Sequence, residues 1–572
     1  MSRPPRELLT RTASSPKLLK GLFALIIVIA LYGELKTVLQ SENCLEKNNS
    51  VVVKQAPTWK AAPIVVDSNS IAPGELPGYT GWARPEKTLA RYFSVTAVST
   101  DEAATTQTGF EYGVVVECRG HEDCSVVNKN NVRNGNGKND DNDSCPSWFF
   151  LRAYGPSVVP GTIASRYATQ GGCRYEFNFV FFDPGVYTVE AVLTVSQPPP
   201  ISTFPLTGRK YEPYYEGYSL PGFPLTTTVA FANSNVASAE DDKALCQFED
   251  LVETSASSAK NKARWKVTSR VNEKDYFSNS MNSTLVSTRG YATNVNSLGI
   301  HMEYRYVKDC RLIDESDFHR VRRDEPPLSG DRCRSSQEKV HIVYIGDSVL
   351  RVQKDMLQEF LKGKPTSKVE LTYLSLHGGY RKNQAMGPAN VQNFLNDLQI
   401  KAKGDKIVLL FNTGLHDIHR LCGDEFRDER PSYLDKDKLN SGAFACVNEY
   451  RALLKDFLDV VQDFPADLKV FQSTTAAWPK YGNYGIEWGQ GGQGMVLMSD
   501  FCQAFNDIAF EVLQDYKNDI AIMDGYWITY PRPDNREVGD IGKKLSHPGV
   551  EVLGAMTRKF VMLVLDRVCL PI

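Results

Sequence analysis

The C-terminal half of the chain constrains the fold most strongly, because strand and helix patterns alternate there without a break. From residue 339 onward, each short apolar run is followed by an amphipathic stretch of helical period. The apolar runs read KVHIVYI, VELTYLSL, KIVLLF, LKVFQSTT and IAIMDG. Strict alternation of this kind predicts a parallel sheet with helices on both faces. We therefore expect an α/β domain over residues 336–572.

The chain has 572 residues, which is too long for one core and indicates two or more domains. Between about 88 and 232, short runs rich in Val, Phe and Tyr are separated by Gly, Pro and Asn clusters, as in FEYGVVVEC and RYEFNFVFF. This texture predicts a β-sandwich. Residues 233–335 lack a clear period, and we interpret them as a connecting segment that packs on the α/β domain.

An apolar run near the N-terminus predicts a membrane anchor. Gly21–Gly33 is uninterrupted by charge and follows several Arg and Lys residues. A helix over this run rises only about 20 Å, so flanking residues must extend it to 18–39. The basic flank predicts a cytosolic tail over 1–17, and the polar stretch 40–87 reads as a stem. A cleaved signal peptide is the alternative.

Glycosylation sequons and cysteines both predict a lumenal body. The sequons lie at Asn48, Asn142 and Asn282. The twelve cysteines are even in number and show no zinc-ligand spacing, so we expect disulfides, whose pairing stays open. The net charge of −3 gives no reason to expect nucleic acid as a partner.

Residues able to do chemistry follow several of the predicted strands. The first strand ends in Gly346-Asp347-Ser348, the second leads to Gly378 and Gly379, and the third leads to Asn412. His547 follows the last strand in Ser-His-Pro-Gly. Because the carboxyl ends of parallel strands meet at one edge of a sheet, we expect these residues to converge. Turn and capping chemistry alone is the alternative explanation of Gly-Asp-Ser.

The converging residue types fit acyl transfer. Ser348 at a helix start would be the nucleophile, and His547 would be the base that takes its proton. Asn412 and the backbone of Gly378 and Gly379 would donate hydrogen bonds to the oxyanion. Pro548 suits a first helical position, which places His547 at the positive end of a helix dipole and keeps it neutral.

The motifs IGDSVLRVQ and FNTGLHD, with the Ser-Gly-Asn-His order, resemble the SGNH/GDSL hydrolase superfamily and its PC-esterase branch. That branch includes the trichome birefringence-like O-acetyltransferases and the neurexophilin and PC-esterase domain (NXPE) proteins. The upstream FNFVFFDPGVYTVEAVL is similar to the last strands of an immunoglobulin or filamin-type repeat. The resemblance implies a three-layer SGNH-type domain after an immunoglobulin/filamin-like sandwich and an N-terminal transmembrane helix.

The resemblance also implies a function. It implies Golgi-type, membrane-anchored transfer of acetyl groups to sugar hydroxyls through an acyl-serine, with a glycan or polysaccharide as acceptor. The acetyl donor, acetyl-CoA or another acyl carrier, would be a co-substrate, and no bound cofactor is expected. An esterase of the same geometry and an inactive adhesion or ligand-binding protein are the alternatives.

The chain departs from that branch at the acid. The branch carries an Asp three residues before the histidine, whereas this position is Lys544. Asp540, in a loop flanked by glycines, is the candidate that we place first to orient His547, ahead of Asp534 and Asp524.

Three further assignments concern the surroundings of the site. Arg351, one helical turn after Ser348, and Trp488, beside the Gly-rich run 489–494, are assigned to substrate binding, with packing as the alternative for Arg351. His416 and His419 flank Asp417, but no third ligand is evident, so we predict no metal.

Overall fold

The computed structural model describes most of the chain beyond residue 88. The described residues are 64–65, 89–100, 110–120, 145, 147–169, 172–195, 215–229, 245–254, 263–272, 300–308, 310–313, 339–361, 368–376, 388–422, 446–477, 499–532 and 547–568. All of them belong to one compact unit, Lys60–Ile572.

Eleven of the described strands form one antiparallel sheet. They are β1 Ile64–Val65, β2 Phe93–Thr100, β3 Phe110–Arg119, β4 Trp148–Tyr154, β5 Ser157–Thr169, β6 Gly172–Phe181, β7 Gly185–Val195, β8 Tyr215–Ser219, β9 Leu225–Val229, β10 Arg264–Asn272 and β11 Ile300–Val307. The main path runs β2-β3-β6-β5-β4-β7-β8. A single-turn 3₁₀ helix, Leu89–Tyr92, precedes β2.

The long strand β5 lets this sheet curl over its own core. Its first residues pair with β4 and β10, and its later residues pair with β6. Strand β6 alternates between buried and half-buried residues, as expected when one face covers a core. That core is aromatic and includes Phe149, Tyr175 and Phe177 in mutual ring contact.

Five strands form a smaller, parallel sheet. They are β12 Val340–Gly346, β13 Val369–Ser375, β14 Lys406–Phe411, β15 Leu468–Gln472 and β16 Ala521–Met523, in the order β13-β12-β14-β15-β16. Strand β12 is fully buried and pairs in parallel with β13 and β14. The order places the ends of β12 and β14 side by side, which brings Ser348 and Asn412 to the same edge.

Eight described α-helices accompany the strands. They are α1 Phe248–Leu251, α2 Ser348–Leu361, α3 Pro388–Lys401, α4 Leu415–Cys422, α5 Cys446–Gln462, α6 Ser499–Leu513, α7 Tyr526–Thr529 and α8 Val550–Arg567. A 3₁₀ turn, Gln514–Tyr516, continues α6. Helix α2 buries one stripe, including Val349, Met356 and Leu357, as an amphipathic helix against a core should.

The two sheets share a continuous apolar core. Trp148 of β4 meets Phe501 of α6 edge to face, with ring centroids 5.3 Å apart. The buried Trp265 of β10 donates its indole N–H to the carbonyl oxygen of Ile528, at 2.9 Å. The N–H of Leu151 in β4 donates to the Tyr530 hydroxyl, at 3.0 Å. These contacts fix the antiparallel sheet against the parallel one.

The fold class expected from the sequence is wrong for this molecule. The sequence predicts a β-sandwich followed by a separate parallel-sheet domain, whereas eleven described strands form one curled antiparallel sheet that includes β10 and β11 of the expected connecting segment. The parallel sheet is the smaller of the two. The expectation fails because strand pairing across long sequence distances leaves no local pattern. Strands β10 and β11 pair with each other in a stretch without a readable period, and β10 also pairs with β5 of the antiparallel sheet.

A transmembrane helix over residues 18–39 is the other part of the expected fold class. None of the helices in the described part of the chain is long and apolar enough to cross a membrane. The expected span, residues 18–39, lies outside the described residues, as do Asn48, Asn142 and Asn282. Two disulfides join described cysteines, Cys145–Cys173 and Cys246–Cys310.

Candidate active site

The turn between β12 and α2 is tightly bonded. Asp347, which is 3% exposed, precedes the helix, and its Oδ1 accepts a hydrogen bond from the N–H of Val349 at 2.9 Å. Its carbonyl oxygen accepts from the N–H of Arg351, at 3.3 Å. Asp347 is therefore the N-cap of α2, so the capping explanation holds for the aspartate. The capping contacts leave the next residue, Ser348, in the first turn of the helix.

Ser348 and His547 form a hydrogen-bonded pair. The distance from Ser348 Oγ to His547 Nε2 is 2.6 Å, and the pair is partly buried. These residues are 199 positions apart in the chain, so only the tertiary fold brings them together. The buried Pro548 and Gly549 follow, and α8 begins at Val550. A serine hydroxyl at this distance from an imidazole nitrogen can transfer its proton to it.

Asn412 lies against the same turn. It follows β14, is 1% exposed, and its Oδ1 accepts a hydrogen bond from the N–H of Asp347 at 3.1 Å. A Cβ on Gly346 would lie 2.0 Å from that oxygen, so the approach requires glycine. With the oxygen used as an acceptor, the amide NH₂ is the group left to act as a donor.

Tyr373 also holds the turn, and the sequence reading does not single it out. Its hydroxyl lies 3.0 Å from the Gly346 carbonyl oxygen and 2.9 Å from that of Asp347, and donates toward both. The signal available in the sequence is its place in the second strand, level with Tyr344 of the neighbouring β12. A tyrosine near the carboxyl end of a strand beside the nucleophile strand could have been considered.

The loop after β14 has a structural arrangement. Gly414 has φ +137°, and its N–H donates to Asp417 Oδ2 at 3.1 Å. The Thr474 hydroxyl donates to the Thr413 carbonyl oxygen at 2.7 Å. Asp417 therefore holds the start of α4.

Several predicted site residues fall elsewhere or outside the described chain. Arg351 is exposed on α2. Asp524 lies beside α7, where its carboxylate accepts hydrogen bonds from the N–H groups of Tyr526, Trp527 and Ile528. It thus bonds the first turn of that helix, whose N-cap residue is Gly525. The remaining predicted residues, Gly378, Gly379, Trp488, Asp534 and Asp540, lie outside the described residues.

Comparison of the sequence with known proteins does not identify a family. The chain matches no protein-family model and no curated protein sequence.

Proposed function

We propose that this chain is a serine-dependent O-acyltransferase that transfers acetyl groups to glycan hydroxyls through an acyl-Ser348 intermediate. The observation that supports the proposal most strongly is the 2.6 Å hydrogen bond between Ser348 Oγ and His547 Nε2. Asn412, bonded to the same turn, supports an oxyanion site beside it. The resemblance of the GDS and Asn-bearing motifs to the SGNH/PC-esterase group supports the substrate class.

In the first half-reaction, His547 Nε2 takes the proton of Ser348 as Oγ attacks the carbonyl carbon of the acetyl donor. The oxyanion that forms would accept hydrogen bonds from N–H groups at the start of α2 and from the Asn412 amide, with Gly378 and Gly379 as further donors. Collapse expels the donor's leaving group, which takes the proton from His547. The donor would be acetyl-CoA or another acyl carrier.

In the second half-reaction, a sugar hydroxyl gives its proton to His547 and attacks the acetyl-Ser348 carbonyl. Ser348 leaves as the free hydroxyl after recovering the proton from His547. Water in place of the sugar would give hydrolysis, which is the esterase alternative. We keep Asp540 as the residue proposed to hold the other nitrogen of His547, because Lys544 cannot accept a hydrogen bond.

The compartment is part of the proposal. The two disulfides support an oxidising environment, and we place the enzyme in the lumen of the secretory pathway, such as the Golgi. Glycans carrying free hydroxyls are abundant acceptors there.

A transfer assay tests the function. The full chain is incubated with a labelled acetyl ester and an oligosaccharide mixture, and both acetylated sugar and free acetate are measured. We expect acetylated sugar, and a loss of about 10⁴-fold or more in Ser348→Ala. Ser94→Ala, at an exposed position on β2, is the matched control and should keep full activity. Free acetate alone would favour the esterase, and no Ser348-dependent product would favour a binding protein.

A further inference from the structure

Asp347 has a second carboxylate oxygen and a negative charge, neither of which a helix N-cap needs. A helix N-cap requires one oxygen, and Ser, Thr or Asn supplies it without a charge. Asp347 uses Oδ1 for this role, through the N–H of Val349. Its second oxygen, Oδ2, is buried and has no hydrogen-bond partner in the described part of the chain. A buried carboxylate oxygen without a hydrogen bond is costly, so its charge calls for another explanation.

Burial raises the pKa of Asp347, and the neighbouring Asn412 side chain, the Val349 N–H, the charge of His547 and the Leu350 N–H act against that rise. His547 is thus the titrating group whose positive charge favours the ionised form of Asp347. The interaction of two charges is mutual, so an ionised Asp347 favours the protonated form of His547 equally.

The other titratable groups around Asp347 do not supply a positive charge that could pair with its carboxylate. Arg351, one turn along α2, is exposed, so solvent screens its charge. Burial is the main cause that raises the pKa of Tyr373 of β13, Tyr450 of α5 and Cys502 of α6, and the Asp347 charge adds to the rise. These three groups are therefore neutral at pH 7 and provide no counter-charge.

The position of Asp347 in the chain limits its distance from the reacting pair. Asp347 is bonded directly to Ser348, whose Oγ lies 2.6 Å from His547 Nε2. Neighbouring Cα atoms are about 3.8 Å apart, so two short side chains and this hydrogen bond keep the carboxylate within roughly 12 Å of the imidazole nitrogen. In a partly dehydrated site, charges interact at such distances more strongly than in water.

We propose that Asp347 is a positioning residue for His547, whose carboxylate stabilises through space the imidazolium that forms when His547 takes the Ser348 proton. The inference rests on the proposed function, because it assigns His547 as the base. It does not require an aspartate three residues before the histidine, the position held here by Lys544. Asp347, the residue before the nucleophile Ser348, supplies the negative charge instead.

The test is a histidine titration that needs no activity. The full chain carries eight histidines, and ring-¹³C-labelled protein allows each to be followed by NMR, with the His547 signal assigned by its loss in His547→Gln. Asp347→Asn keeps a capping oxygen and removes the charge. We expect the pKa of His547 to fall by about one unit in this variant, since a nearby carboxylate favours the charged imidazole. The acid limb of the pH–rate profile should move to lower pH by the same amount.

Two further variants control the test. Asp355→Asn removes a charge from the same helix at a partly exposed site and should leave the pKa of His547 unchanged. Asp347→Ser, which also caps a helix, should repeat the shift and guards against a local distortion in the asparagine variant. A His547 pKa that stays unchanged in either Asp347 variant, or that moves equally in Asp355→Asn, overturns the inference. Absence of acyl transfer in the unmodified chain counts against the proposed function instead, and leaves this titration valid.

Discussion

Gly346 and Asn412 fit each other across the turn that presents Ser348. Any side chain at position 346 would meet the Asn412 amide oxygen and the Leu350 side chain, at 2.0 and 2.8 Å from its Cβ. The sequence predicts Asn412 as a strand-end residue at the site, because a parallel sheet collects such residues at one edge. The contact with Gly346 is not predictable in this way, because it depends on side-chain distances between neighbouring strands.

We predict that Gly346→Ala displaces the Asn412 amide from the Asp347 N–H. The free energy of unfolding should fall by about 1–3 kcal/mol from overpacking, and acyl transfer should fall by at least tenfold. Gly404→Ala is the control, since its φ of +89° imposes strain but nothing lies within 4 Å of the added Cβ. It should lose stability of about 1 kcal/mol and keep transfer. Equal loss of transfer in both variants would show that the Gly346 contact has no special role.

Tyr373→Phe should reduce the transfer rate while the fold stays intact. The change removes one hydroxyl that donates toward two carbonyl oxygens in the turn, worth about 1 kcal/mol and therefore a several-fold effect on the rate. Tyr167→Phe, at a half-exposed hydroxyl of the antiparallel sheet that donates to Glu176, is the matched control. A normal rate in Tyr373→Phe would mean that the backbone alone holds the turn.

At the scale of elements, periodicity predicts the parallel half of the molecule well. The KIVLLF run coincides with β14, Lys406–Phe411, and the helix expected from VLRVQKDMLQEFLKG differs by one or two residues from α2 at each end. Apolar runs bounded by charges are a strong local signal. Loop conformations carry no such signal, so the contacts of Tyr373 and Asp524 are visible only in the structure.

The junction of β15 with the following loop depends on one buried amide. Asn506 of α6 accepts a hydrogen bond from the Thr474 N–H at 2.7 Å and donates to the Thr474 carbonyl oxygen at 2.8 Å. Asn506→Ala leaves both backbone groups buried and unsatisfied, so the free energy of unfolding should fall by about 2–3 kcal/mol in a urea titration. The exposed Asn396→Ala should change it by less than about 0.5 kcal/mol. A small effect of Asn506→Ala would indicate that water replaces the amide.

At the scale of the whole molecule, the segment expected to connect two domains binds both sheets. Arg264 of β10 forms a buried ion pair with Asp183 in the turn between β6 and β7, and its neighbour Trp265 donates a hydrogen bond to Ile528 beside the parallel sheet. Glu253 accepts hydrogen bonds from Lys308 and from Lys559 of α8. These long-range pairings could not be read from the sequence, because residues 233–335 show no period and the paired residues lie between 55 and 306 positions apart.

Trp265→Ala should therefore weaken both sheets together. Loss of a fully buried tryptophan costs about 3–5 kcal/mol, and we expect one cooperative thermal transition at a lower midpoint, followed by near- and far-UV circular dichroism. Ile400→Ala removes a side chain that is 77% exposed and should leave the midpoint almost unchanged. Two separate transitions, with only one of them shifted, would contradict a shared core.

The most direct test of the proposed function is peptide-level mass spectrometry of the full chain after brief exposure to an activated acetyl ester and acid quenching. We expect an added acetyl group on Ser348 and a longer-lived adduct in His547→Gln acylated with excess ester, because the base needed for the second half-reaction is missing. The exposed Ser94 should stay unmodified. Acetylation spread over surface serines at equal rates, or an unmodified Ser348 at every exposure time, would contradict the claim that Ser348 and His547 form an acyl-transfer site.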